Sequence, residues 1–297
     1  MRIAICFSGE VRTGVSASPN VLRFIGDLIS VTDFFIHTWD INTIRCCHEG
    51  CRIDNAIIPA LDLDEFCSIY KPKYVHIDDQ MKIVRQLQKK DKPKEVGEKG
   101  WTHRFYSWKQ SIDYKKNYEI LHNFKYDIVI KLRPDIIFSA DIRLIDLLPL
   151  IKENTFAIDH FIDPGGTPAA DDAMFIATSS TMDRVYDWND FISAGWILPG
   201  KVIPYLDPNV GLMDFIRFKD CVPYDLKIQE YVSIYRPECL HFDPISEYGK
   251  CADFCSIFYR FGIPITDHNN INLSLDEIEY FEQLFLSLHL HTGIKPV

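Results

Sequence analysis

Short apolar runs alternate with stretches of helical periodicity through the first 180 residues of the chain. A strand needs only a brief run, whereas a helix shows apolar positions every three to four residues. The pattern predicts strands over 2–7, 33–37, 73–77, 126–132, 154–159 and 172–177. It predicts helices over 18–30, 62–70, 80–89, 102–124, 141–149 and 178–193. Runs such as Ile128, Val129 and Ile130 leave no polar face, as in strands buried on both sides. Alternation with helices then predicts an α/β fold built on a mainly parallel sheet. The Lys-rich stretch 88–100, with Pro93, Gly97 and Gly100, reads as a loop, and so does Asp163–Pro168. Beyond residue 195 the pattern becomes more helical and aromatic, punctuated by Pro204, Pro208, Pro223, Pro237 and Pro244. Residues 1–195 are therefore expected to form the α/β core, and 196–297 a C-terminal part of the same domain.

The chain has 297 residues, 47% of them hydrophobic, which is ample for one large core. Its formal net charge of −10 argues against nucleic acid as a general partner, because phosphate backbones demand a basic face. No apolar stretch approaches the ~20 residues of a membrane span. The first apolar run ends at Ser8-Gly9-Glu10, too soon for a signal-peptide core. A soluble, cytosolic protein with no transmembrane segment is the expectation. Nine cysteines invite a zinc reading, yet Cys46, Cys47, His48 and Cys51 crowd one loop. Zinc sites usually show two well-spaced ligand pairs, so reduced thiols are expected here.

The candidate chemistry gathers at strand ends. In open α/β sheets, ligands bind beyond the carboxyl ends of the strands. The run 126–132 leads straight into Arg133-Pro134-Asp135, a cation and a carboxylate two residues apart. Such a pair suits a phosphorylated ligand, with Asp135 able to hold a divalent metal and Arg133 a phosphate. Ser8, Gly9 and Arg12 follow the first strand and can present backbone N–H groups and a guanidinium to a pyrophosphate. The spacing of Gly9 and Gly14 matches neither a dinucleotide fingerprint nor a P-loop, and a plain turn accounts for this loop equally well. The second strand ends in His37-Thr38-Trp39-Asp40. Trp39 can pack on a base or sugar and Asp40 can accept from hydroxyls. The commoner arrangement has Trp39 in the core and His37 bonded to a backbone carbonyl. In the helix beginning at Trp101, Phe105, Trp108 and Ile112 fall on a core stripe; Arg104, Ser107 and Lys109 could face a ligand, though ordinary helix positions are the commoner reading. Asp171 and Asp172 open a strand and point to opposite faces, so at most one faces the cleft.

Four segments together resemble the blocks of the WavE-type glycosyltransferases: Ser8-Gly9-Glu10-Val11-Arg12, Phe35-Ile36-His37-Thr38-Trp39-Asp40, Tyr126-Asp127 through Arg133-Pro134-Asp135, and Asp172 through Met182-Asp183. That family serves bacterial lipopolysaccharide and capsule synthesis and the glycan machinery of large DNA viruses. The resemblance covers about the first 190 residues in order. It implies a glycosyltransferase-A fold, a nucleotide-sugar donor, a glycan acceptor and a divalent metal, Mn²⁺ or Mg²⁺. A viral member would work in the host cytoplasm. Arg133 and Asp135 would occupy the metal and diphosphate motif, Arg12 would lie beside the nucleotide, and Asp172 would face the donor sugar and acceptor. The chain departs from the family in two places: Arg133 replaces the first carboxylate of the usual Asp-x-Asp, and Ala173 stands where Gln commonly follows the Asp.

The implied reaction moves a sugar from a nucleotide diphosphate sugar, with UDP favoured by analogy, to a glycan hydroxyl. Inversion with Asp172 as base is the expected course; Glu230 could be an acceptor-side carboxylate, though a solvated helix position is the commoner place for such a residue. Two alternatives stay open: a sugar nucleotidyltransferase or pyrophosphorylase, and a non-catalytic carbohydrate-binding protein on a transferase fold.

Overall fold

A computed structural model of the chain describes residues 1–44, 56–60, 62–90, 101–162, 169–170, 173–186, 197–198, 201–202, 208–228 and 232–234. The Cys46–Cys51 cluster, Asp163–Pro168, Asp171, Asp172 and Glu230 lie outside the described residues. The chain opens with β1 (Ile3–Ser8), α1 (Gly14–Ile25), a 3-10 turn (Gly26–Val31) and β2 (Thr32–Trp39). An antiparallel pair follows, β3 (Ile41–Ile44) with β4 (Ala56–Pro59), and then α2 (Leu63–Tyr70), β5 (Tyr74–Asp78) and α3 (Gln80–Lys90). Next come α4 (Trp101–His122), β6 (Ile128–Leu132), β7 (Ile136–Phe138), α5 (Leu144–Leu147) and β8 (Thr155–Ile158). The short strands β9 (Phe161–Ile162) and β10 (Ala169–Ala170) precede β11 (Met174–Thr178) and α6 (Ser179–Val185). The remaining elements are β12 (Ile197–Leu198), β13 (Lys201–Val202), α7 (Pro208–Phe218), β14 (Val222–Asp225) and β15 (Val232–Ile234).

Seven strands form one mixed sheet in the order β14-β8-β11-β6-β1-β2-β5. β11 runs against both neighbours, and every other pairing in this sheet is parallel. Side chains alternate across it with period two. Ile3, Ile5 and Phe7 of β1 join Phe24 of α1, Phe66 of α2 and Leu144 of α5 on one face. Ala4 and Cys6 join Phe105 and Trp108 of α4, Met182 of α6 and Phe215 of α7 on the other. Both faces being covered explains why the strand sequences lack a polar side. No helix among the described residues is long and apolar enough to cross a membrane.

Every expected strand is present, within two residues at each end. One difference concerns the first helix, which begins at Gly14 and contains Pro19. Proline lacks the N–H that would bond the carbonyl of Val15. The Ser18 hydroxyl donates to that carbonyl instead, at 2.6 Å, so the helix runs through. The expected helix at 141–149 is shorter: one turn of α5 passes into a 3-10 turn at Leu148–Leu150, around Pro149. Among the described residues of the C-terminal part, strands stand beside α7: β14 adds an edge strand to the main sheet and β15 pairs with β7.

From β1 the chain continues to β2 on one side, while β6 lies on the other. The connections therefore diverge between β1 and β6, and open α/β sheets commonly bind ligands in a crevice beyond the carboxyl ends at such a place. Helix α1 braces the β6 side of it. Asn20 bonds both backbone groups of Phe138, accepting from its N–H at 2.5 Å and donating to its carbonyl at 2.7 Å.

Candidate functional site

The loop after β1 has a backbone that side chains rarely tolerate. Gly9 sits at φ +114°, a region open to glycine alone, and Arg12 at φ +45° is left-handed. At Gly14 a Cβ would lie 2.8 Å from a ring carbon of Phe66 and 3.1 Å from Cβ of Pro134. The first turn of α1 is thereby seated directly on the Arg133-Pro134-Asp135 segment that ends β6.

Arg133 and Arg12 converge on Asp135 from these two strand ends. Arg133 donates from Nε to one carboxylate oxygen and from Nη2 to the other, both at 2.9 Å. Arg12 adds Nη1 at 3.4 Å and donates from Nε to Glu10 at 2.9 Å. Gln80, at the start of α3, donates to the second Glu10 oxygen at 3.1 Å. The bidentate Arg133–Asp135 pair is the strong, orienting kind of charge-assisted bond.

Beside this cluster runs a buried relay. Gly9 N–H donates to Ser107 Oγ at 2.9 Å, and Ser107 Oγ lies 2.8 Å from His37 Nδ1. His37 Nε2 lies 3.1 Å from Asp78, whose carboxylate only accepts, so Nε2 carries the ring proton and Nδ1 accepts from Ser107. Burial pushes His37 down to about 4, against the pull of Asp78. Burial alone would raise Asp78, but bonds from His37, Tyr106 and His76 outweigh it and hold the carboxyl below its usual value. The relay joins β1, β2, β5 and α4 and fixes the Gly9 turn. Ser107 and His37 are fully buried, so this Ser–His–Asp chain positions a loop and presents no nucleophile to solvent.

The other sequence-predicted residues take mixed places. Ser8 ends β1, buried, and its hydroxyl has no hydrogen-bond partner among the described residues. Trp39 is also buried, edge-on to His37 and stacked on Tyr106, which removes it as a platform for a base or sugar. His37 bonds Ser107 and Asp78 and lines no open surface. Asp40 accepts from the Gln80 N–H at 3.0 Å, stabilising the first turn of α3 in place of a ligand hydroxyl. Glu10, Asp78, Ser107 and Gln80 were not singled out as site residues from sequence. Asp78 was within reach of the same rule that marked Asp40, a polar residue ending a strand. The Ser107 contacts span 70 and 98 positions, which no local pattern encodes.

The described residues do not fit a resident divalent ion. Both oxygens of Asp135 are taken by Arg133, and no group of three His, Cys, Asp or Glu side chains with metal-site geometry occurs among the described residues. At the Asp135 position expected to hold Mn²⁺ or Mg²⁺, the described partners of the carboxylate are the arginines Arg133 and Arg12. Ala173 accepts from the Arg133 N–H at 3.2 Å, which brings the start of β11 beside the clamp. Comparison with known proteins finds no family model and no curated protein that matches this chain.

Proposed function

We propose that this chain is a glycosyltransferase of the glycosyltransferase-A type, moving a sugar from a nucleotide diphosphate sugar to a glycan hydroxyl. The observation that carries this reading is the meeting of Arg12 and Arg133 on buried Asp135 at the β1–β6 divergence. Open α/β sheets bind nucleotides at that place. The mixed sheet with one reversed strand and the resemblance of four segments to the WavE-type family support the same reading. In glycosyl transfer, the barrier lies in releasing the diphosphate and deprotonating the acceptor. Fixed guanidinium groups stabilise the charge that grows on the leaving diphosphate. Asp172, one residue before Ala173, is the proposed base for the acceptor hydroxyl in an inverting displacement. A UDP-sugar is the favoured donor by analogy.

The test is incubation with a panel of nucleotide sugars, with and without glycan acceptors. Slow release of nucleoside diphosphate, quickened by an acceptor, is the expected result. Release of pyrophosphate would instead mark a nucleotidyltransferase. No turnover, with sugar binding retained, would mark a carbohydrate-binding protein.

A further inference from the structure

The charges around the crevice are layered. Asp135 and Glu10 have side chains only 2% and 8% exposed, whereas Arg12 and Arg133 are 19% and 14% exposed. The two carboxylates are thus more deeply buried than the two arginine side chains. A hard divalent ion needs carboxylate oxygens with open lone pairs, and a Mg²⁺ ion demands near-octahedral geometry at about 2.1 Å. Here those oxygens are covered by the Arg133 fork. A diphosphate coming from solvent meets guanidinium groups first, and their planar donors match phosphate oxygens. The arginines are also held in place before any ligand arrives: Asp135 ties Arg133 to Arg12, and Glu10 ties Arg12 to Gln80 at the head of α3.

We propose that the crevice holds the diphosphate of its donor directly on Arg12 and Arg133, with no divalent ion on Asp135. The ligand class rests on the transferase reading. The metal independence rests on the layering of charge alone.

Calorimetry with inorganic pyrophosphate and with UDP separates the two. In EDTA, both ligands are expected to bind the wild-type protein, and Arg12→Ala is expected to bind at least tenfold more weakly. Arg133→Ala strands a buried carboxylate and endangers folding. The paired variant Arg133→Gln with Asp135→Asn removes both charges, keeps the size of residue 135 and a polar amide at 133, and is expected to lose at least tenfold as well. Circular dichroism and thermal melts check that each variant is folded. Binding that appears only when Mn²⁺ replaces EDTA would overturn metal independence and leave the transferase reading standing. Binding in EDTA that neither variant weakens would overturn the arginine assignment. No binding of either ligand, with or without Mn²⁺, would overturn this proposal and the transferase reading together.

Discussion

His37 shows how a single buried ring couples stability to pH. Its folded value near 4 lies below the ordinary 6.5, so the unfolded chain takes up a proton at a pH where the native ring stays neutral. Stability therefore falls as pH drops from 6.5 to about 4, by on the order of 3 kcal/mol for a shift of this size. Asp78, held low by its partners, adds a loss only at still lower pH. Thermal melts across this window should show wild type losing more stability than His37→Gln; parallel pH curves would contradict the relay. Gly14 supports a second expectation. Gly14→Ala drives a methyl group into Phe66 and Pro134 and should cost about 1–3 kcal/mol in urea unfolding. At this scale the strand-end rule drew attention to Arg12, Arg133 and Asp135, which the fold brings into contact. Trp39 and His37 lie in the core, as strand-end aromatics more commonly do, because α4 covers both.

Among the elements, α4 ties several others together. At the edge opposite the crevice, its Lys115 is fully buried and donates to Ser179 at 2.8 Å, Glu119 at 3.2 Å and Asp183 at 2.5 Å. Glu119 in turn accepts from Ser179 at 2.6 Å and from the Tyr126 N–H at 2.8 Å. The network pins α4, α6 and the entry to β6. Removing one partner of a buried ion pair leaves a charge with no compensation, typically at a cost of ~3–5 kcal/mol. Lys115→Met is expected to destabilise by that amount in denaturant titrations, and a change below about 1 kcal/mol would show that the network contributes little. Element type and approximate bounds were legible because period two and period 3.6 are local signals. Strand direction was not: nothing in Met174–Thr178 encodes that β11 runs against β6 and β8. Short strands such as β7 and β15 were equally silent, since three residues carry no period.

At the scale of the whole molecule, the sheet brings residues more than a hundred positions apart, Arg12 and Asp135, to one crevice, and the reaction assigned to it asks for a base near the reacting sugar. Asp172→Asn keeps size and removes the proton acceptor, so it should lower kcat by roughly 10²–10⁴-fold with donor affinity little changed. Asp171→Asn should do much less, because the resemblance to the WavE-type family puts Asp172, not its neighbour, at the reacting sugar. The reverse ranking in steady-state assays would move the base to Asp171. The central claim, a nucleoside diphosphate site between β1 and β6, is tested most directly by calorimetric titration of UDP and the other nucleoside diphosphates into wild type and Arg12→Ala. One of them should bind the wild type, and the variant should lose about 1.5–3 kcal/mol of that affinity, the loss expected for a charge-assisted hydrogen bond. Equal affinity in the two proteins, or no binding by any nucleoside diphosphate, would contradict it.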